Sequence, residues 1–462
     1  MLQTLPEVQE EGLPEEEHEE IMEEPIPYKR FGYSKALPII QDEYDFLKLY
    51  DSKERVKKFK FSNEGGLRIE VMDFGATIVS VRTPDKFGDI DDILLGFDTV
   101  QDYYKRNCKF GAMLGRTTNI IEDAYFKLGN DVHFLRKNAE THHRDGGLIS
   151  FDKIMWKSYI DKATNTLIMT YLSENKEEGY PGNVLTKILM YLSDENEFIV
   201  TIDASCDSPT PVDISPRLFF NLAGHGSGEE KMRDHKIMIN ADMYIMQDSQ
   251  GIPTGRVKHV NQTYFDLRIP RPFHAALDRI RGGGYKHTFC LNNAHRDGLG
   301  LIFAARLEEC NYGRYIEIYT NAPSLYFSTA NNFPETPYTE DEYRQSSSEN
   351  RVSTISHSKS MGGKSGSQTE RLFGKENMLY FRHGAVALSP QGYPNSVNMP
   401  TFPSCIIRPH QPFQRKIIYK FGVSRKILTH PKTNKDNDHS FHKSGDYAGK
   451  HEENHNEAGD TH

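Results

Sequence analysis

The stretch "HGAVALSPQGYPNSVNMPTFP", residues 383 to 403, carries an apolar run into a polar loop. Ala385, Val386, Ala387 and Leu388 read as a short buried strand, which Pro390, Gly392, Pro394 and Asn395 end with turn chemistry. Ser389 stands at the junction, a place where sheet proteins often put reacting groups. A serine hydroxyl has no useful basicity near neutral pH and attacks only when a neighbouring base takes its proton. Other chemistries have less to work with. The five cysteines (108, 206, 290, 310 and 405) are scattered, odd in number and form no CxxC pair. The histidines of the C-terminal segment lack metal-ligand spacing, so no metal and no organic cofactor is expected.

The elements that must position Ser389 are strands. From residue 56, "VKKFKFSNEGGLRIEVMDFGATIVSVRTPD" reads as strand, turn at Asn63-Glu64-Gly65-Gly66, strand, bend at Gly75 and strand. Similar short runs follow at "TLIMTYLS", "LTKILMYLS", "EFIVTIDASC", "DHKIMINAD", "GLIFAARLEE", "YIEIYTN", "SLYFSTA" and "RKIIYKFGV". A short helix is expected at "IIQDEYDFLKLYD", residues 39 to 51. Many strands with little helix between them predict antiparallel sheets packed face to face, an all-β sandwich spanning about 54 to 424. Within it, 338 to 377 is rich in Ser, Gly and charge without periodicity, and reads as a disordered insertion.

Bulk composition sets the class. Only 37% of the 462 residues are hydrophobic, so polar segments must dilute an ordinary core. Residues 1 to 30 hold ten glutamates and no Lys or Arg before Lys29; without those ten the net charge of -9 becomes +1. They read as an acidic disordered tail that could dock on a basic protein partner, and 425 to 462 reads as a second, His-containing tail. No basic patch suits nucleic acid, and no apolar run approaches the roughly 20 residues that span a bilayer. No secretory leader is visible, and the cysteine usage suits a reducing compartment, so a cytoplasmic location is expected.

Eight phrases, in order, resemble the aldose 1-epimerase (galactose mutarotase) family. They are "DFGATIVSVRTPDKFGDIDDILLGFDTVQDY", "GAMLGRTTNII", "THHRDGGLISFDKIMW", "TPVDISPRLFFNLAGHGSG", "NADMYIMQDSQGIPTGRV", "TYFDLR", "GYKHTF" and the stretch around Ser389. The resemblance implies a large antiparallel β-supersandwich with an open sugar cleft over one sheet. It also implies interconversion of α and β anomers of a hexose through ring opening. In that chemistry a glutamate takes the C1 hydroxyl proton, a histidine protonates the ring oxygen, and the two exchange roles to close the other face.

At the matched positions this chain differs. Ser389 stands at the base position and Arg217 at the acid position. Asp145 replaces the histidine of the family's His-Gly-Gly, and Lys286 replaces an aspartate. Arg116, Asp145, Asp242 and Gln391 are the substrate contacts the resemblance implies. Arginine stays protonated and cannot cycle as a general acid. Arg217 is therefore expected to pair with a carboxylate left in the cleft, Asp145 or Asp242. An anionic ligand held by Arg217 with Arg116 and Lys286 is the other expectation. Phe219 and Tyr393 are candidates for stacking on a sugar face.

Three functions follow as expectations. The first is a hexose-binding family member, taking a sugar or an anionic derivative, with impaired or lost anomer interconversion. The second is an active epimerase using relocated groups, for which His142, His143 and His287 flank matched motifs. The third is an interaction protein acting through its tails and insertion.

Overall fold

A computed structural model describes residues 34–48, 53–280, 283–292, 300–335 and 371–424. The two tails, and 338–370 of the expected insertion, lie outside the described residues. Among those described, the chain is almost entirely antiparallel strand. Its two α-helices, Val100–Lys105 and Gly228–Met232, are short, and no helix is long and apolar enough to cross a membrane.

Three sheets carry the fold: one of five strands from the N-terminal part, one of nine and one of six. One continuous hydrophobic cluster draws side chains from all three, among them Phe59 and Ile69, Val200 and Ile316, and Phe327 and Leu388. Period-two alternation explains why a single cluster can do this: each strand gives its apolar side to the shared core and keeps the other for solvent or a site. Val184–Leu192 shows it cleanly, alternating buried residues with more accessible ones.

Two expectations need correction. Ile40–Lys48 is a strand, not a helix, and pairs with Lys53–Ser62. Its apolar spacing suits either conformation, and cross-strand partners decide the outcome: Asp42 with Lys60 at 2.6 Å, Glu43 with Arg55 at 2.5 Å, and Lys58 4.5 Å over the Tyr44 ring. The segment 371–377, expected inside a disordered insertion, is packed instead. Leu372 is buried, and the Lys375 ammonium donates to Asp92 Oδ2 at 2.7 Å and to the Val79 carbonyl at 2.9 Å.

The six-stranded sheet positions the site. Its central strands are Lys286–Cys290, Ser324–Ser328 and Val386–Gln391, flanked by Phe219–Phe220. Register places Phe219, Ala387, Ser328 and Lys286 in one row across the four strands. Ser389, Tyr326 and Thr288 form the next row on the same face. The intervening residues, Phe220, Leu388, Phe327 and Phe289, turn the other way into the core.

Candidate functional site

Over the row Phe219 to Lys286 opens a cavity of about 1170 Å³, large enough for a sugar. Phe219 and Lys286 line its two ends and Ser328 and Tyr326 its floor, while the loops carrying Lys109, His142, Arg144 and Asp145 form one wall.

Asp145 and Arg217 meet inside it. Arg217 Nη1 donates to Asp145 Oδ2 at 2.7 Å and Nη2 to Oδ1 at 3.0 Å, a two-pronged ion pair with both side chains largely buried. The Asn119 amide donates to Asp145 Oδ1 at 2.8 Å. Asp145 sits at φ +50°, in the left-handed region, followed by Gly146 at +86° and Gly147 at +109°. A Cβ on Gly146 would lie 1.8 Å from the Gly115 carbonyl oxygen, so only glycine lets the loop close there. Burial alone would raise the Asp145 pKa, but Arg217 in contact, with Lys109 and Arg144 nearby, holds the carboxyl below its usual range. Arg217 is pushed upward: burial opposes its charge and Asp145 outweighs it. Both directions describe one locked pair, neither member of which exchanges a proton near neutral pH.

The Arg217 guanidinium also lies 5.3 Å from the centre of the Tyr326 ring, and its buried Nε has no hydrogen-bond partner among the described residues. Beneath, Lys109 Nζ donates to Ser150 Oγ at 2.9 Å, Asp152 Oδ1 at 3.2 Å and the Asp145 carbonyl at 3.2 Å.

Ser389 is buried at 1% exposure and its side chain leaves the same face as Tyr326, yet it does not line the cavity. Its Oγ has no hydrogen-bond partner among the described residues, and neither do the amide atoms of Gln391 or the Thr288 hydroxyl. Among the described residues no group therefore stands ready to take a proton from Ser389, and the position offers neither a carboxylate nor an activated alkoxide.

The other sequence-derived candidates lie apart. Arg116 is 2% exposed and outside the cavity lining. Its guanidinium donates to the carbonyls of Ser173, Glu174, Pro181 and Gly182 at 3.0 to 3.1 Å and to Ser173 Oγ at 2.7 Å. Asp242 is half-exposed, also outside the lining, and pairs with Arg268 at 3.1 Å. Tyr393 packs on Phe402, with ring centres 5.1 Å apart.

The three flanking histidines divide. His287 is in register with Phe327 on the core side of the sheet, against Phe265, and burial with Lys286 beside it lowers its pKa to about 4. His143 is buried, bonded through Nδ1 to the Arg136 carbonyl and through Nε2 to the Tyr180 hydroxyl, both at 2.7 Å. His142 does line the cavity; its Nδ1 accepts the Asp123 amide at 3.0 Å. Tyr326, Lys109 and Arg144 are lining residues that the sequence did not single out. Tyr326 lies two residues before Ser328 on the strand "SLYFSTA", so period-two alternation puts both on the cavity face.

A family model described as aldose 1-epimerase matches residues 57–420. Galactose mutarotases of human and mouse are 30% identical over 369 residues, covering 80% of this chain and 95% of each relative. The aldose 1-epimerase of Escherichia coli strain K12 is 31% identical over 279 residues, 60% of this chain and 79% of that protein. Among solved structures, a GalM/aldose epimerase homologue from C. elegans superposes with a TM-score of 0.65 at 20% identity, covering 78% of this chain and 97% of the other. A galactose 1-epimerase from Lactobacillus acidophilus gives 0.63 at 21%, covering 84% and 100%. At these identities the structural likeness speaks for the fold alone.

Proposed function

The chain belongs to the aldose 1-epimerase family, and from that premise we propose that it is a sugar-binding member whose anomer interconversion is lost or severely impaired. The observation that carries this reading is the buried two-pronged pair between Arg217 and Asp145 inside the sugar-sized cavity. Opening and reclosing a hexose ring needs a donor and an acceptor on opposite sides of the sugar, each changing protonation state within a turnover. Arg217 holds its protons at any accessible pH. Asp145 is held ionised by that same guanidinium, which occupies both its oxygens. Ser389, at the base position, is an alcohol without a base. Loss of one acid–base partner costs roughly two to four powers of ten in rate, and here both are absent. A small-molecule sugar as partner and a cytoplasmic location belong to the same proposal.

One observation favours the competing reading, turnover by relocated groups: His142 puts an imidazole in the lining. Its Nδ1 accepts the Asp123 backbone N–H, which leaves Nε2 as the ring nitrogen free to carry a proton. NMR titration of the intact protein with D-galactose and D-glucose, followed on both sugar anomers, tests the two together. Line broadening or shift changes without faster anomer exchange support the proposal. Faster exchange that disappears in His142→Ala supports the competing reading, and absence of any binding contradicts both.

A further inference from the structure

Resting on the sugar-binding reading, we propose that the cavity is built for a sugar bearing an anionic group, a carboxylate or a phosphate, seated on Lys286 and Arg144. Although the whole chain is net negative, seven lysines and arginines line the cavity against three carboxylates. Two of those carboxylates are already committed, Asp145 to Arg217 and Glu335 to Arg382. The third, Glu140, is exposed at the rim, as is Lys105. Among the cations, Arg106, Lys109 and Arg217 have carboxylate partners in Asp102, Asp152 and Asp145, and Arg371 is engaged in an interaction of its own.

Lys286 and Arg144 are different. Both side chains line the cavity, both are partly buried, and neither makes a hydrogen bond or ion pair with any described residue. Lys286 ends the row that begins at Phe219, and the two residues between them, Ala387 and Ser328, are small, leaving room above the sheet beside the ammonium. Partial burial, then Arg144, then Arg217 all disfavour its charge, with Asp145 the single opposing influence. Gathering like charges on a partly desolvated wall is costly unless a bound anion relieves it. A neutral hexose supplies no such counter-charge. A carboxylate or phosphate does, the guanidinium gripping two oxygens and the ammonium acting as a point charge.

The test is calorimetric titration of the intact protein, at low salt and again at high salt, with D-glucose, D-glucuronate and D-glucose 6-phosphate. At least one of the two anionic sugars is expected to bind tighter than glucose by roughly tenfold or more, as charge-assisted hydrogen bonds would give. The advantage should shrink as salt is raised. The two anionic sugars separate carboxylate from phosphate as the source of charge. Lys286→Gln and Arg144→Gln should each erode the advantage, and Lys286→Arg should keep it, which guards against a simple folding defect. Glucose binding as tightly as both anionic sugars would overturn this inference and leave the sugar-binding reading standing. An anionic preference surviving both Gln substitutions would likewise overturn it, whereas failure of all three sugars to bind would overturn both.

Discussion

Arg116 and Arg217 are both buried guanidiniums in one domain, and they serve opposite ends. Arg116 donates to four backbone carbonyls of two neighbouring loop segments and meets no carboxylate in salt-bridge contact among the described residues. Burial lowers its pKa, with the nearby Glu177 working against that shift. Arg217 instead spends its two terminal nitrogens on one carboxylate at the wall of a cavity and leaves its Nε without a partner. One arginine ties two chain segments together through their carbonyls; the other neutralises a charge inside the site. The contrast teaches that the partners of a buried guanidinium, carbonyls in one case and a carboxylate in the other, decide whether it serves the frame or the cavity.

Breaking the frame should have the larger effect. Arg116→Met removes donors to four carbonyls, two of them on the buried residues Ser173 and Gly182, and an expected loss of roughly 3–5 kcal/mol should appear in urea unfolding. Asp145→Asn leaves the Arg217 charge buried and uncompensated, for an expected loss of roughly 3 kcal/mol. Adding Arg217→Met to that variant should recover most of it, because the pair then disappears together. If the double variant is no more stable than Asp145→Asn alone, the two residues do not act as a pair.

Acid sharpens the same comparison. Burial lowers the pKa of His235 to about 4, and its Nε2 accepts the Leu222 amide. A histidine titrating near 6.5 when unfolded and about 4 when folded contributes stability that is complete above about 6.5 and lost as pH falls toward 4, on the order of 3 kcal/mol in all. Asp145, depressed below an unfolded value near 3.9, keeps its contribution through that window and loses it only at still lower pH. Thermal melts from pH 7 to 4 should therefore fall in the native protein and fall less in His235→Gln, while the Asp145→Asn/Arg217→Met variant should track the native slope. The smallest effect is expected at Lys286. Removing a partly exposed, unpartnered cation beside Arg144, as in Lys286→Met, should raise the stability of the sugar-free protein by up to about 1 kcal/mol. A loss of that size would mean that the ammonium already has a compensating partner.

Most of the fold was legible because period-two alternation declares a strand locally, as in "LTKILMYLS", now Val184–Leu192. The hairpin at Ile40–Lys48 was not, since its apolar spacing fits helix and strand alike and the choice rests on cross-strand partners remote in sequence. Pairing of Arg217 with a carboxylate was legible only because the resemblance implies that Arg217, Asp145 and Asp242 share a cleft, and it proved to be Asp145 rather than Asp242. The setting of Arg116 was not readable: a motif states that an arginine is present, not whether carbonyls or solvent surround it. Lys286 was visible as a substituted position, but its lack of a partner depends on which strands lie beside it, and Arg144 carried no signal beyond adjacency to Asp145. Lys375 was lost in a polar stretch because its anchor, Asp92, lies 283 residues away.

The central claim is that a fixed cation locked to its counter-ion in the cavity, with Ser389 an alcohol lacking a base among the described residues, cannot relay protons to and from a sugar. Polarimetry of freshly dissolved α-D-galactose and α-D-glucose, over a range of concentrations of the purified full chain, tests this most directly. The optical rotation is predicted to decay at the buffer rate whatever the protein concentration. A decay rate that climbs in proportion to protein would contradict it.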